Sequence, residues 1–393
     1  MNSVPDNSRV SLLPYLVPLS YFLILVTRSY PSMGRLPADP GYDYVLNGSE
    51  QGLSALTLGD PYFHVGARLL ALVTSWFPLA YQAVVLSVLV HVVWSICAVV
   101  IANVIATETR KRWLGYLAGC FLIAAPHASE SGLGNVGNVK WPLLAALLVV
   151  SGSRTSIQTF PKSVALLAVT TGFTQPLTIL CGIPLVVDVL RIRRITREQL
   201  TLGVLLAGTA SIQIAKVGID SAASGQSTKV TAPWEGMGLF WWSGFVGPIA
   251  MSAACLTVLL LRRAHVDVWW VAVKLSLAAG VVALASYRMG GIADRYFIVP
   301  MTLAVVALFI TVQQLFAHMP KWRMAGTVAL LIGLAIPTTK WFSSGPYLMT
   351  PPIWKSEVNQ ATQFCRANAT AMVTVSSSVH GGNELACSYI LRG

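Results

Sequence analysis

The residues of this 393-residue chain that could do chemistry are concentrated in one stretch, Arg28 to Pro78. It carries Asp39, Asp43, Glu50 and Asp60, four of the fifteen acidic residues, together with Arg35, His64 and Arg68. Carboxylates can take a proton from an attacking hydroxyl, and Arg or His nearby can hold an anion. A connection about fifty residues long between apolar runs is uncommon unless it binds or reacts with something. The stretch is therefore expected to be an active-site loop, and the rest of the chain the scaffold that holds it.

That scaffold is very apolar: 55% of the residues are hydrophobic, 11% are charged, and the mean hydropathy is +0.65. These values place the chain among all-α polytopic membrane proteins. Apolar runs near 11 to 27, 81 to 106, 113 to 126, 139 to 152, 163 to 173, 175 to 191, 200 to 217, 244 to 261, 268 to 286, 295 to 317 and 324 to 341 give about eleven expected spans. With the N-terminus in the cytoplasm, 14 of the 27 basic residues fall in short inner connections, as the positive-inside rule requires. Topology thus accounts for the formal charge of +12, and no nucleic-acid partner is implied. Ten of the fifteen acids then lie outside, so chemistry is expected on the outer face of the plasma (inner) membrane. The first span ends in TRSYPSMGR with no small-residue cleavage site, which suits a retained anchor.

Two segments should bring polar groups to the membrane boundary. PYFHVGARLLALVTSWF has the pattern of a helix lying in the interface, with His64 and Arg68 four apart on one face. A plain anchor whose Arg snorkels to phosphate has the same pattern. PHASESGLGNVGNVKWPLL, an outer connection, places Glu130, Asn135, Asn138, Lys140 and Trp141 at membrane depth. A turn and an N-cap would also explain Asn135 and Asn138.

The acidic first outer loop, the GARLLA helix, GNVGNVKW, TGFTQPLTILCGIPL and DRYFIVP together resemble the GT-C class of multi-spanning membrane glycosyltransferases, over most of residues 1 to 341. The resemblance implies a polyprenyl-phosphate sugar donor, transfer on the outer face to a cell-envelope glycan or lipid acceptor, and an Asp or Glu of the first outer loop as base. Within that frame Asp43 is the first choice. Asp39 precedes Pro40 and suits a turn, Asp60 precedes Pro61 and suits a helix cap, and Glu50 stands in a polar run. Asp43 lies between Tyr42 and Tyr44, where partial burial is expected to favour a proton-accepting carboxyl. Glu130 is the main rival, with Asp39 behind it. A leaving lipid phosphate calls for a cation, and Arg295 beside Tyr296 is the first candidate, then Arg68, with Arg288 and Lys140 behind them. Two outer carboxylates could hold Mg²⁺ or Mn²⁺, as in some members of that class, but no ligand spacing demands a metal.

Lys274 and Lys216 are ionisable groups inside or at the end of a span, either functional or snorkelling. The aromatic run 234 to 242 suits interfacial anchoring. Cys97, Cys120, Cys181 and Cys255 read as small buried residues, whereas Cys365 and Cys387 are expected to be bridged in an outer tail. That tail, residues 343 to 393 against a transmembrane domain of 1 to 342, is expected to be a small α+β unit. Its helix is placed near 353 to 367 and its strands near AMVTVSS and ACSYILR. A transporter or flippase of a lipid-linked or anionic solute is the second functional class. It is disfavoured by the lack of internal repeats and the crowding of polar groups on the outer side.

Overall fold

A computed structural model of the chain describes residues 13–36, 41–57, 63–124, 135–224, 253, 269–290, 298–318, 352–378 and 381–392. Nearly all of the described chain up to residue 318 is helical. The order is α1 (Leu13–Ser29), α2 (Gly41–Gln51), α3 (Val65–Thr74), α4 (Gln82–Thr109), α5 (Arg112–Ala124) and α6 (Lys140–Gly152). There follow α7 (Arg154–Thr159), α8 (Pro161–Gly172), α9 (Gly182–Ile192), α10 (Arg197–Ser224), α11 (Trp269–Gly290) and α12 (Ile298–His318).

The centre is built by α6 and α12. Every residue of α6 from Trp141 to Gly152 is buried, and so is α12 from Ile298 to Val312. A helix apolar all round can be stable only when others surround it. The outer helices instead expose apolar stripes: Leu16, Leu19 and Leu23 on α1, Val84, Val92 and Ile96 on α4, Leu200, Val204 and Ile212 on α10. Spacings of three, four, eight and twelve keep each set on one face, which is what a lipid-facing helix presents. Close packing of α5 on α4 depends on Gly115 and Gly119. A Cβ at Gly115 would overlap the Ala102 carbonyl oxygen, and one at Gly119 would strike the Tyr21 hydroxyl. This is the small-residue packing by which apolar helices approach closely.

Among the described residues three helices are long and apolar enough to cross a membrane, over Leu79–Thr109, Arg197–Val217 and Ile298–Ala317. Eleven full spans are therefore not what the described chain forms. The runs at 113 to 126, 139 to 152, 163 to 173 and 175 to 191 become helices of 13, 13, 12 and 11 residues. At 1.5 Å per residue they reach about 20 Å, short of the hydrocarbon thickness of about 30 Å. Pro176, which lacks an N–H, opens a 3₁₀ turn over Pro176–Cys181 that separates α8 from α9. The runs at 244 to 261 and 324 to 341 lie outside the described residues, apart from Ala253.

The described parts of the stretch from Arg28 to Pro78 are largely helical rather than loop. Tyr44, Val45 and Gly48 of α2 are buried on one face, against α3. A 3₁₀ turn over Gly52–Thr57 then leads toward α3.

The tail consists of α13 (Trp354–Ala367), β1 (Met372–Ser378), β2 (Gly381–Ala386) and α14 (Cys387–Ile390). Its helix and first strand lie where the sequence places them. ACSYILR, expected as a strand, ends β2 and turns into α14. Ala386 already pairs with Met372, where β1 begins, so later residues have no strand partner. Cys365 and Cys387 form a disulfide, Cα to Cα 5.0 Å. The tail does not stand apart. Trp354 is buried, its indole N–H donates to the Leu79 carbonyl at 2.7 Å and its backbone N–H to the Gly34 carbonyl at 2.9 Å.

Lys274 of α11 neither snorkels nor stands open. Its Nζ lies 2.9 Å from Asp188 of α9, both side chains are buried, and Gln199 of α10 donates to the same carboxylate at 3.4 Å. One ion pair thus fixes the register of three helices. Removing one partner strands a buried charge, which costs about 3 to 5 kcal/mol. Asp188→Asn or Lys274→Met is expected to lower thermal stability in detergent by that amount, and the swap Asp188→Lys with Lys274→Asp to recover part of it. Equal stability of the single variants and the native chain would show that the pair fixes nothing.

Candidate functional site

The site is assembled around Tyr44, on the buried face of α2. The Arg68 guanidinium lies 4.9 Å from the centre of its ring, and the His64 ring lies 5.8 Å away. Arg68 also donates to the Ala55 carbonyl of the following 3₁₀ turn. His64 and Arg68 do share a face, as their spacing predicts, but that face points inward. Arg68 is 3% exposed, so it does not snorkel to a lipid surface, and α3 is not the free interfacial helix expected. Only its far side and end keep that character, with Leu69, Trp76 and Phe77 exposed.

Asp43 departs from expectation in the opposite sense. It sits in the first turn of α2 and is exposed, although burial against aromatic surface was expected. Successive residues of a helix are about 100° apart, so Tyr44 turns inward while its neighbour turns out. The carboxylate therefore stands on the exposed side of α2, one residue from the ring that packs on His64 and Arg68.

What holds α3 in place is a set of hydrogen bonds that the sequence did not advertise. Gln213 of α10, fully buried, accepts from the Phe63 N–H at 2.8 Å and donates to the Phe63 carbonyl at 3.1 Å. Its second amide hydrogen goes to the Gly172 carbonyl at the end of α8, at 3.0 Å. The next N–H groups, of Val65 and Gly66, donate to the Phe173 carbonyl and to Thr174 Oγ1 at 3.2 and 2.9 Å. Orphan donors at the start of α3 thus meet orphan acceptors past the end of α8. Gly66 permits the approach, since a Cβ there would lie 2.8 Å from Thr174 Oγ1. Lys216, one turn beyond Gln213, has its Nζ 5.2 Å from the centre of the Phe63 ring.

The second predicted segment lies against α3. Asn135 caps a 3₁₀ turn over Val136–Asn138, its side chain accepting from the Gly137 N–H at 2.9 Å. Asn138 accepts from the Trp141 indole at 3.2 Å, and Lys140 Nζ lies 5.4 Å from the Trp141 ring centre. Both asparagines and the indole are buried. These residues brace one another, as a cap would. Asp39, Asp60, Glu130, Asp294, Arg295, Tyr296 and the aromatic run at 234 to 242 lie outside the described residues.

Where α1 and α5 end beside the first turns of α4, there is a buried polar group that sequence reasoning passed over. Arg28 donates to the Ile123 carbonyl at 2.6 Å. His91 Nδ1 lies 2.5 Å from the Ser87 carbonyl and Nε2 lies 2.7 Å from Ser29 Oγ. A carbonyl only accepts, so a neutral ring carries its proton on Nδ1, and Nε2 faces the Ser29 hydroxyl, whose one hydrogen is shared between that nitrogen and the Leu25 carbonyl at 2.8 Å. His91 thereby ties α4 to α1. For both His91 and Gln213 the available signal was a lone polar residue in an apolar run.

A divalent ion does not fit the described carboxylates. Asp43 and Glu50 are seven residues, about 10 Å, apart along α2, too far to share one cation. Among the described residues no three His, Cys, Asp or Glu side chains are grouped for a metal. No protein-family model matches the chain, and no curated protein matches it.

Replacing Gln213 by Leu keeps the volume and leaves the Phe63 N–H and two carbonyls to seek other partners. Each orphaned buried group costs about 1 to 3 kcal/mol. The expected outcome is a loss of about 3 kcal/mol in detergent melting, together with faster amide exchange over 63 to 68. Gln213→Glu should behave similarly, because a carboxylate cannot donate to the Phe63 and Gly172 carbonyls. Native exchange in both variants would remove Gln213 from the support of α3.

Proposed function

We propose that this chain is a membrane glycosyltransferase of GT-C type, moving a sugar from a polyprenyl-phosphate donor to a hydroxyl of a cell-envelope glycan or lipid. The observation that carries the reading is that the first turn of α2 presents an exposed carboxylate, Asp43, while the next residue, Tyr44, packs inward against buried Arg68 and His64. In this reaction the acceptor hydroxyl attacks the anomeric carbon and yields its proton to the base. The bond from that carbon to the phosphate oxygen breaks, and the electron pair leaves with the lipid phosphate. Arg68 and His64 favour negative charge beside them, and Arg295 with Tyr296 is proposed to meet the phosphate and the sugar. Asp43 is the proposed base, with Glu130 and Asp39 as the alternatives. No step requires a metal.

In the proposed topology the chain crosses the plasma (inner) membrane about eleven times. The N-terminus is cytoplasmic, and the tail and the cap formed by α2 and α3 are extracytoplasmic. The short helices then end in protein-lined cavities rather than against lipid. A second reading, a transporter or flippase for a lipid-linked or anionic solute, is favoured by one observation, the buried Asp188 and Lys274 pair. Intramembrane charges of this kind mark ion paths in transporters.

Asp43→Asn keeps shape and removes basicity. Assayed in proteoliposomes with a polyprenyl-phosphate-linked sugar, it should lose roughly 10²- to 10⁴-fold in rate with donor binding retained. Normal turnover in Asp43→Asn and loss in Glu130→Gln would move the base to Glu130. Movement of the intact lipid-linked sugar across the bilayer by the native protein, accompanied by no transfer, would establish the transporter instead.

A further inference from the structure

The C-terminal tail reaches the helix that carries Asp43. Tyr389, on α14, places its Oη 2.5 Å from Ser49 Oγ near the end of α2, across 340 residues of sequence. α14 begins at Cys387, which is bonded to Cys365 of α13, and the Cys387 N–H donates to the Ala371 carbonyl at 2.9 Å. α13 is fixed in turn by the two Trp354 hydrogen bonds, to Leu79 before α4 and to Gly34 before α2. The path from the segments that precede α2 and α4 to the end of α2 is therefore continuous: Trp354, α13, the disulfide, α14, Tyr389, Ser49.

We propose that the C-terminal tail is a second positioning element for α2, with Tyr389, held by the Cys365–Cys387 bridge, restraining the far end of the helix whose first turn presents Asp43 and whose middle packs on α3. The proposal rests on the function above only in the role given to Asp43. α3 contacts α2 on one side through Arg68 and Tyr44, and the tail holds it at the other end. Ser49 lies six residues, about 9 Å, along a rigid helix from Asp43, so a restraint at one end sets the direction of the other. Neither the Trp354 contacts nor the strand pairing accounts for Tyr389 meeting Ser49. Burial raises the Tyr389 phenol above its ordinary value, and the Glu50 carboxylate adds to this while the Ser49 hydrogen bond opposes it.

The test is hydrogen exchange on the full-length protein in nanodiscs, followed peptide by peptide. Tyr389→Phe keeps the ring and deletes the bond, and is expected to raise exchange over 41 to 51 about fivefold, the ordinary net worth of one hydrogen bond, with 65 to 74 unchanged. Ser49→Ala should do the same and Ser49→Thr, which retains the hydroxyl, should not. The double variant Cys365→Ser with Cys387→Ser should raise exchange over 41 to 51 as well, again sparing 65 to 74. Unchanged exchange over 41 to 51 in Tyr389→Phe and Ser49→Ala would overturn the proposal. An equal rise over 65 to 74 would overturn it too, because the whole cap would then have loosened. The raised exchange in a protein that transfers no sugar would uphold the positioning and count against the proposed function. Native exchange in the variants with sugar transfer intact would do the reverse.

Discussion

The seating of α3 on the helical bundle depends on one side chain, Gln213. A chain segment entering a helix over an apolar bundle has backbone groups with no partner inside the segment and little water to take them. At Phe63 both the N–H and the carbonyl are in this position, and the Gln213 amide satisfies both at once, as a neighbouring strand would. Its remaining hydrogen takes the Gly172 carbonyl. Three elements distant in sequence, the start of α3, the end of α8 and the middle of α10, are therefore joined by a single amide. Asn is one methylene shorter, and Glu lacks the donors. The placement of His64 and Arg68 follows, because they are the first and fifth residues after Phe63.

Elsewhere in the bundle the same logic recurs with different groups. Polar side chains among apolar helices have found one another: Asp188 with Lys274 and Gln199, His91 with Ser29 and the Ser87 carbonyl, Arg28 with the Ile123 carbonyl. Such pairs are weak evidence for stability, since apolar residues of equal size would pack as well. Their value lies in what they forbid. A bundle of apolar helices can slide by a turn at little cost, but a slide that separates Lys274 from Asp188 leaves two buried charges alone. Packing by Gly115 and Gly119 restricts α5 on α4 in the same way, by shape instead of charge.

Much of this was legible in the sequence, and the failures have physical causes. The spacing of His64 and Arg68 gave their common face, and the two cysteines of a polar tail gave the bridge. The Asn135 cap was visible as a turn. What spacing cannot give is the direction of a face. Arg68 was placed against lipid because α3 has an apolar side, but Tyr44 supplies an inner partner of the right shape and charge, and a stacked guanidinium tolerates burial better than an ammonium. α2 escaped notice because Gly41, Asn47 and Gly48 lower its helix propensity, and packing of Tyr44 and Val45 overrides that. Among the described residues fewer runs form full-length spanning helices than hydropathy marks, because burial within protein and burial in lipid leave the same mark on a short run. Gln213 was missed because one glutamine between Ile212 and Ile214 has no partner until the fold brings Phe63 to it.

The geometry of the cap bears on how the proposed reaction would meet its two substrates. A polyprenyl-phosphate arrives within the bilayer, and an acceptor hydroxyl of the envelope arrives from the aqueous side. A catalyst at that boundary needs its cationic surroundings toward the membrane body and its base toward the acceptor. Helix α2 separates these requirements by one residue step: Tyr44 faces inward to Arg68 and His64, and Asp43 faces out. The division costs no extra machinery, because a 100° turn between neighbours is a property of any helix. It does require that α2 not rotate. A rotation of one residue step would bury the carboxylate beside apolar Val45 and carry Tyr44 away from the guanidinium. The packing of α2 on α3 opposes such a rotation through the stack of Tyr44 with Arg68. In the proposed reaction, therefore, Arg68 acts twice: its charge favours the leaving phosphate, and its stacking on Tyr44 sets the angle at which Asp43 is presented.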